Sequence, residues 1–203
     1  MPDRNAFKAD PFGYSISAFN RWALAQHVVG GLDTDPTKPP TGLDLKCPVL
    51  WLMQAQALTE AAIRVIKSEP EWENVPVCLK GVCDSQYCAA GLMLVGYSLE
   101  ICLKAMLVLT KGAEAYALAE KDHKTHDLVK LADLIPGLGE KDKAILQELT
   151  LFVRWAGRYP DPGSGKEKEI EHVFTLSEKH KIADRDLFGL AARVMGHVRT
   201  LTG

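Results

Sequence analysis

The chain has 203 residues, 47% of them hydrophobic and 25% charged, with a formal net charge of -2. This profile excludes a disordered or fibrous protein and points to a soluble globular one long enough to bury a sizeable core. It also lacks the net basic character that duplex DNA selects, so no duplex DNA partner is expected.

The opening residues, MPDRNAFKADPFG, carry acidic groups and two prolines without an apolar run. They read as neither a signal peptide nor a transit peptide, and a cytoplasmic protein is expected. Ser15 to Val29 has the pattern of a short helix that Gly30 and Gly31 would end. Asp33 to Gly42 contains three prolines and reads as an extended linker. Residues 1–42 are therefore expected to form an N-terminal arm and linker, and residues 43–203 a helical bundle.

Pro48 to Ser68 is a strong helix, with Leu52, Ala55, Leu58, Ala62 and Val65 at three-to-four spacing. Glu69 to Asp84 contains Pro70, Pro76 and Gly81 and reads as a loop, with a brief extended piece around Val75 to Leu79. Asp84 to Thr110 is the longest helical stretch. It is nearly continuous apolar sequence from Cys88 to Leu109, broken by Glu100 and Lys104. Two charges near the middle make a membrane span costly, so a central helix buried on most sides is expected, and no membrane partner. Its core face is Leu92, Val95, Leu99, Cys102, Leu103 and Met106. Ala113 to Glu120 and Thr125 to Leu134 follow as short helices. Lys141 to Tyr159 is a longer one, with Ile145, Leu149, Phe152 and Ala156 on one stripe and Pro160 as its stop. Asp161 to Glu171 is a polar loop, and Leu176 to Leu201 a final helix. No repeat and no strand alternation is visible, so the expected architecture is all-α, a four- or five-helix bundle with an N-terminal helical arm.

Cys47, Cys78, Cys83, Cys88 and Cys102 are read as reduced thiols. The spacing Cys78-x4-Cys83-x4-Cys88, with His123 or His126 as a fourth ligand, invites a metal reading. Structural zinc sites prefer shorter spacings, so small buried hydrophobes are preferred, with no metal and no cofactor expected.

Glu100 and Lys104 are one turn apart and share a face with Tyr97 and Lys111. A solvated pair at this spacing contributes about 0.2–0.5 kcal/mol, too little to explain charges in so apolar a helix. Arg154 and Arg158 are also four apart, and a guanidinium fork suits a partly buried carboxylate. Glu100 is therefore expected to meet Arg154 or Arg158 across the bundle, the alternative being two arginines that extend to water. Glu100, Lys104, Arg154, Arg158 and Tyr159 form the candidate ligand-binding groove. In HKTHDLVKLAD, Thr125 is placed to cap a helix and Asp127 to sit in its first turn, with His126 as a hydrogen-bonding residue at the start.

Three motifs in order carry a resemblance: S-L-E-x-x-L-K-A at Ser98 to Ala105, H-D-L-x-x-L at His126 to Leu131, and R-Y-P at Arg158 to Pro160. In this order and separation they resemble the HEPN domain family over about Cys47 to Pro160. The resemblance implies a bundle of four or five helices that often dimerises. Several such proteins are ribonucleases, many of them toxins or antiviral defence proteins, which use an arginine followed after four to six residues by a histidine. Others lack that motif and bind nucleotides, RNA or a partner protein. Here Arg154 and Arg158 have no histidine at the required distance, and Arg193 and His197 are too close. Arg21 and His27 satisfy the spacing but lie before the linker, and so short a spacing recurs easily by chance. The leading expectation is a non-catalytic HEPN-like module, a homodimer or hetero-oligomer that binds a nucleotide, RNA or protein partner, in a toxin–antitoxin or defence setting. One alternative is a metal-independent ribonuclease using Arg21 with His27, or Arg158 with His126. A second is a purely structural or regulatory interaction protein.

Overall fold

The structure is a computed structural model and describes residues 4–29 and 37–202. The fold is all-α, and no strand occurs among the described residues. Three short helices form the N-terminal arm: α1 (Arg4–Ala9), α2 (Pro11–Ile16) and α3 (Ala18–Val29). The single helix expected over Ser15 to Val29 is broken at Ser17, whose hydroxyl turns back to the Tyr14 carbonyl at 2.7 Å. The expected stop at Gly30 and Gly31, and the first part of the proline linker, lie outside the described residues.

Helix α4 (Pro48–Lys67) begins on a proline, whose missing N–H costs nothing in the first turn. It packs along α5 (Val77–Lys111), the axis of the fold. The extended piece expected around Val75 to Leu79 is instead the start of α5. Pro76 supplies the first carbonyl, which accepts from Leu79 N–H at 2.8 Å, and Gly81 is carried inside the helix. By length and composition α5 is apolar enough to cross a membrane, and 56% of its most apolar stretch is buried inside the fold. The face expected to be core is so: Val95, Leu99, Cys102, Leu103 and Met106 are buried, and Leu92 packs against them. Gly112 ends α5 with φ of 84°, a left-handed conformation that glycine adopts without penalty.

The chain then makes α6 (Ala113–Leu118), α7 (Glu120–His123) and α8 (Leu128–Leu131), the last tightening into a 3₁₀ turn over Ala132–Leu134. Asp127, not Thr125, caps α8, accepting from the Lys130 N–H at 3.1 Å. Thr125 instead accepts from the Asp127 N–H at 3.0 Å and so braces that cap. Helix α9 (Glu140–Leu151) continues as a wider π turn over Phe152–Ala156, in which the Gly157 N–H reaches back five residues to the Phe152 carbonyl at 3.1 Å. This end lies so close to α5 that a side chain at Gly96 would meet Val153, and one at Gly157 would overlap Met93.

The last part of the chain departs from expectation. The polar loop ends at Glu167, and Lys168–His180 forms α10. The single helix expected over Leu176 to Leu201 is interrupted by Lys181, at φ 47°, before α11 (Asp184–Thr202). Lys181 donates to the Ser177 and Glu178 carbonyls, closing α10. Asp186 accepts from the Ala183 N–H at 2.9 Å, which starts α11 afresh. The core is contributed by α4, α5, α8, α9 and α11, with Leu103, Met106, Leu128, Leu146, Leu190 and Val194 at its centre.

Candidate ligand cavity around Glu100

Glu100 lies on α5 where that helix passes beneath α4 and the α6–α8 segment, and it is buried to 5% exposure. A carboxylate so placed needs partners, and it has two. One oxygen accepts from the Lys104 ammonium at 2.7 Å, the turn-apart pairing legible in the sequence. The other lies 2.9 Å from His126 Nδ1. The arginine pairing expected for Glu100 is not formed, because the loop before α8 brings His126 to that oxygen first. His126 meets Tyr97 edge-on, with ring centroids 6.3 Å apart, while half of its side chain stays exposed. With Nδ1 held at the carboxylate, Nε2 is the nitrogen left to face outward.

On its Lys104 side Glu100 borders a cavity of about 470 Å³. The N-terminal arm closes one wall with Phe19, α4 contributes Trp51 and Gln54, and α6 and α7 contribute Tyr116, Glu120 and His123. Three aromatic side chains thus share a cavity with Lys104 and Lys124. Polar contacts fix the rings. Trp51 donates its indole N–H to the Leu45 carbonyl at 2.8 Å and meets Tyr116 edge-on, and Tyr116 stacks on His123 with centroids 5.1 Å apart. The Lys46 ammonium sits near both the Trp51 and Tyr116 rings and pairs with Glu120 at 2.9 Å.

Burial, together with the Glu120 and Glu100 charges, pushes the Tyr116 phenol up to about 12. His123 is held below its ordinary value by burial and by Lys111, whose Nζ lies 3.2 Å from its Nε2. A neutral His123 accepting from Lys111 is consistent with both observations. The Lys46 ammonium lowers the Glu120 carboxyl.

The other residues singled out in the sequence lie elsewhere. Arg154 and Tyr159 line a separate cavity of about 460 Å³ beside the π turn, with Trp155, Lys166, Asp161 and Glu169. Arg158 donates back to the Arg154 carbonyl and lies over the Tyr159 ring, exposed. The five residues expected to form one groove are therefore separated: Glu100 and Lys104 line one cavity, Arg154 and Tyr159 the other, and Arg158 lines neither. Arg21 stacks on Tyr14 at 4.4 Å and donates to the Ser17 hydroxyl at 2.9 Å, while His27 is exposed near the end of α3. Of the cysteines only Cys102 is fully buried, its thiol pushed up to about 11 by burial, whereas Cys78 and Cys88 are exposed. Among the described residues no three His, Cys, Asp or Glu side chains are grouped to hold a metal ion.

Sequence reading did not find Trp51, Tyr116 or Lys124 as cavity residues, and considered His123 only as a metal ligand. Trp51 lies 49 residues before Glu100 and Tyr116 beyond a glycine turn, so no local spacing links them. No family model, no curated protein and no solved structure matches the chain.

Proposed function

We propose that the protein is a HEPN-like helical module that binds a nucleotide in the cavity around Glu100 and Lys104 without transforming it. The observation that carries this reading is the cavity itself, in which Phe19, Trp51 and Tyr116 stand beside Lys104 and Lys124. Aromatic faces accept a base by stacking, ammonium groups accept a phosphate, and the volume falls in the range of small-ligand sites. Glu100 holds Lys104 in place, which gives the buried charges a use beyond their mutual pairing. The order of the S-L-E-x-x-L-K-A, H-D-L and R-Y-P motifs supports the HEPN-like assignment, and with it assembly as a dimer or with a protein partner in a defence setting. Calorimetric titration with AMP and ATP tests the binding. Lys104→Ala and Trp51→Ala are each expected to weaken binding by about tenfold or more. Absence of binding at millimolar nucleotide would refute the reading.

A ribonuclease reading is favoured by one observation. The buried Glu100 carboxylate orients His126 through Nδ1, as a general base requires. The arginine that would complete it is not at hand: Arg158 is engaged with Arg154 and Tyr159, and Arg21 with Tyr14. RNA cleavage by the unaltered protein, abolished in His126→Ala and retained in His27→Ala, is the outcome this reading requires.

A further inference from the structure

A third cavity, of about 300 Å³, shares no lining residue with the one around Glu100. It lies where α4, α5, α9, α10 and α11 converge, and its wall is mostly hydrocarbon, with Leu92, Phe152 and Phe188 among its residues. Into it comes Glu148 of α9. One oxygen of this carboxyl is shut off from solvent and has no hydrogen-bond partner. A buried polar oxygen without a partner is uncommon in folded proteins and calls for an explanation.

The charge on the wall points one way. Glu148 and, at the start of α11, Asp184 are its charged residues, Cys88 of α5 is the remaining titratable one, and no lysine, arginine or histidine lines it. The contributions of α4 and α10, Ile66 and Ser177, carry no charge. Asp184 already accepts from the Arg185 N–H at 2.7 Å, whereas the Glu148 oxygen has nothing to accept from. We infer that this cavity binds a small apolar amine, its ammonium paired with Glu148 and its hydrocarbon body laid against Leu92, Phe152 and Phe188.

The proton balance follows. Burial pushes the Glu148 carboxyl up to about 7, so below that pH the empty cavity holds a neutral acid. An arriving ammonium takes the ionised carboxylate as its partner, and the carboxyl proton leaves to solvent. Amine affinity should therefore rise about tenfold per pH unit below about pH 7 and level off above it, while the affinity of a matched alcohol changes little.

Titration of the full chain with 2-phenylethylamine and with 2-phenylethanol, at about pH 6 and about pH 8, tests the inference. At the higher pH the amine should bind about tenfold or more tightly than the alcohol, and at the lower pH most of that preference should be gone. Glu148→Gln, a near-isosteric change, should erase the preference, and Asp184→Asn should keep it. A readout independent of any variant comes from Cys88, which is exposed yet lines the cavity. Bound amine should slow its alkylation about fivefold or more, while Cys78, exposed and outside the cavity wall, should be unaffected. Equal binding of amine and alcohol, binding of neither at millimolar concentration, or amine binding that leaves Cys88 unprotected would each overturn the inference.

Discussion

Glu100 is the residue on which the two functional readings divide. Its carboxylate satisfies Lys104 and His126 together, so Glu100→Gln removes the charge beneath a lysine that is itself mostly buried. A loss of about 1–3 kcal/mol in urea unfolding is expected, together with weaker AMP binding. Lost stability with unchanged AMP affinity would instead make the pair purely architectural. The local half of this arrangement was legible in the sequence, because Glu100 and Lys104 are fixed as neighbours by helical spacing alone. The distant half was not. A partly buried carboxylate calls for a cationic or hydrogen-bonding partner without saying which, and His126, 26 residues on, reaches it only through the turns of α6 to α8. The arginines Arg154 and Arg158 matched the same chemical need, but the π turn directs them to other neighbours.

At the scale of elements, patterns long enough to average over several turns were read well, and interruptions were not. Helix α4 and the core face of α5 agree with the spacing of their apolar residues. The break between α10 and α11 was missed because Lys181 and Ile182 carry none of the usual stop signals, and Lys181 adopts the left-handed conformation of a helix end without being glycine. This location gives a direct test. Lys181→Gly should remove a backbone penalty of about 1 kcal/mol and raise the melting temperature by about 2–4 °C. An unchanged or lower melting temperature would show that the lysine side chain compensates for its backbone. The start of α5 was likewise hidden by Pro76 and Gly81, which read as a loop although proline suits the position just before a helix.

For the whole molecule, two expectations concern how its parts depend on one another. Glu148 carries a folded-state value near 7 against 4.5 in an unfolded chain. Between these values the unfolded chain has lost its proton and the native protein keeps it, so stability should fall as pH rises from about 4.5 to about 7 and be flat in this term above. Urea midpoints measured across that range, with Glu148→Gln as the control that flattens the slope, check the sign. The N-terminal arm lends Phe19 to the wall of the Glu100 cavity, while the core is drawn from helices after residue 47. Deleting residues 1–42 should therefore leave a cooperatively folding helical protein by circular dichroism, with AMP affinity reduced several-fold, about 1 kcal/mol or more. Loss of cooperative unfolding would show the arm to be part of the core. The carboxylate of Glu100 has a consequence at this scale too, since one of its oxygens accepts from Lys104 beside the cavity and the other lies against the half-exposed His126. An occupant that draws the Lys104 ammonium toward itself leaves that charge to His126 alone, so the imidazole senses a space it does not touch. The His126 ring resonances thereby become a meter for what fills the interior.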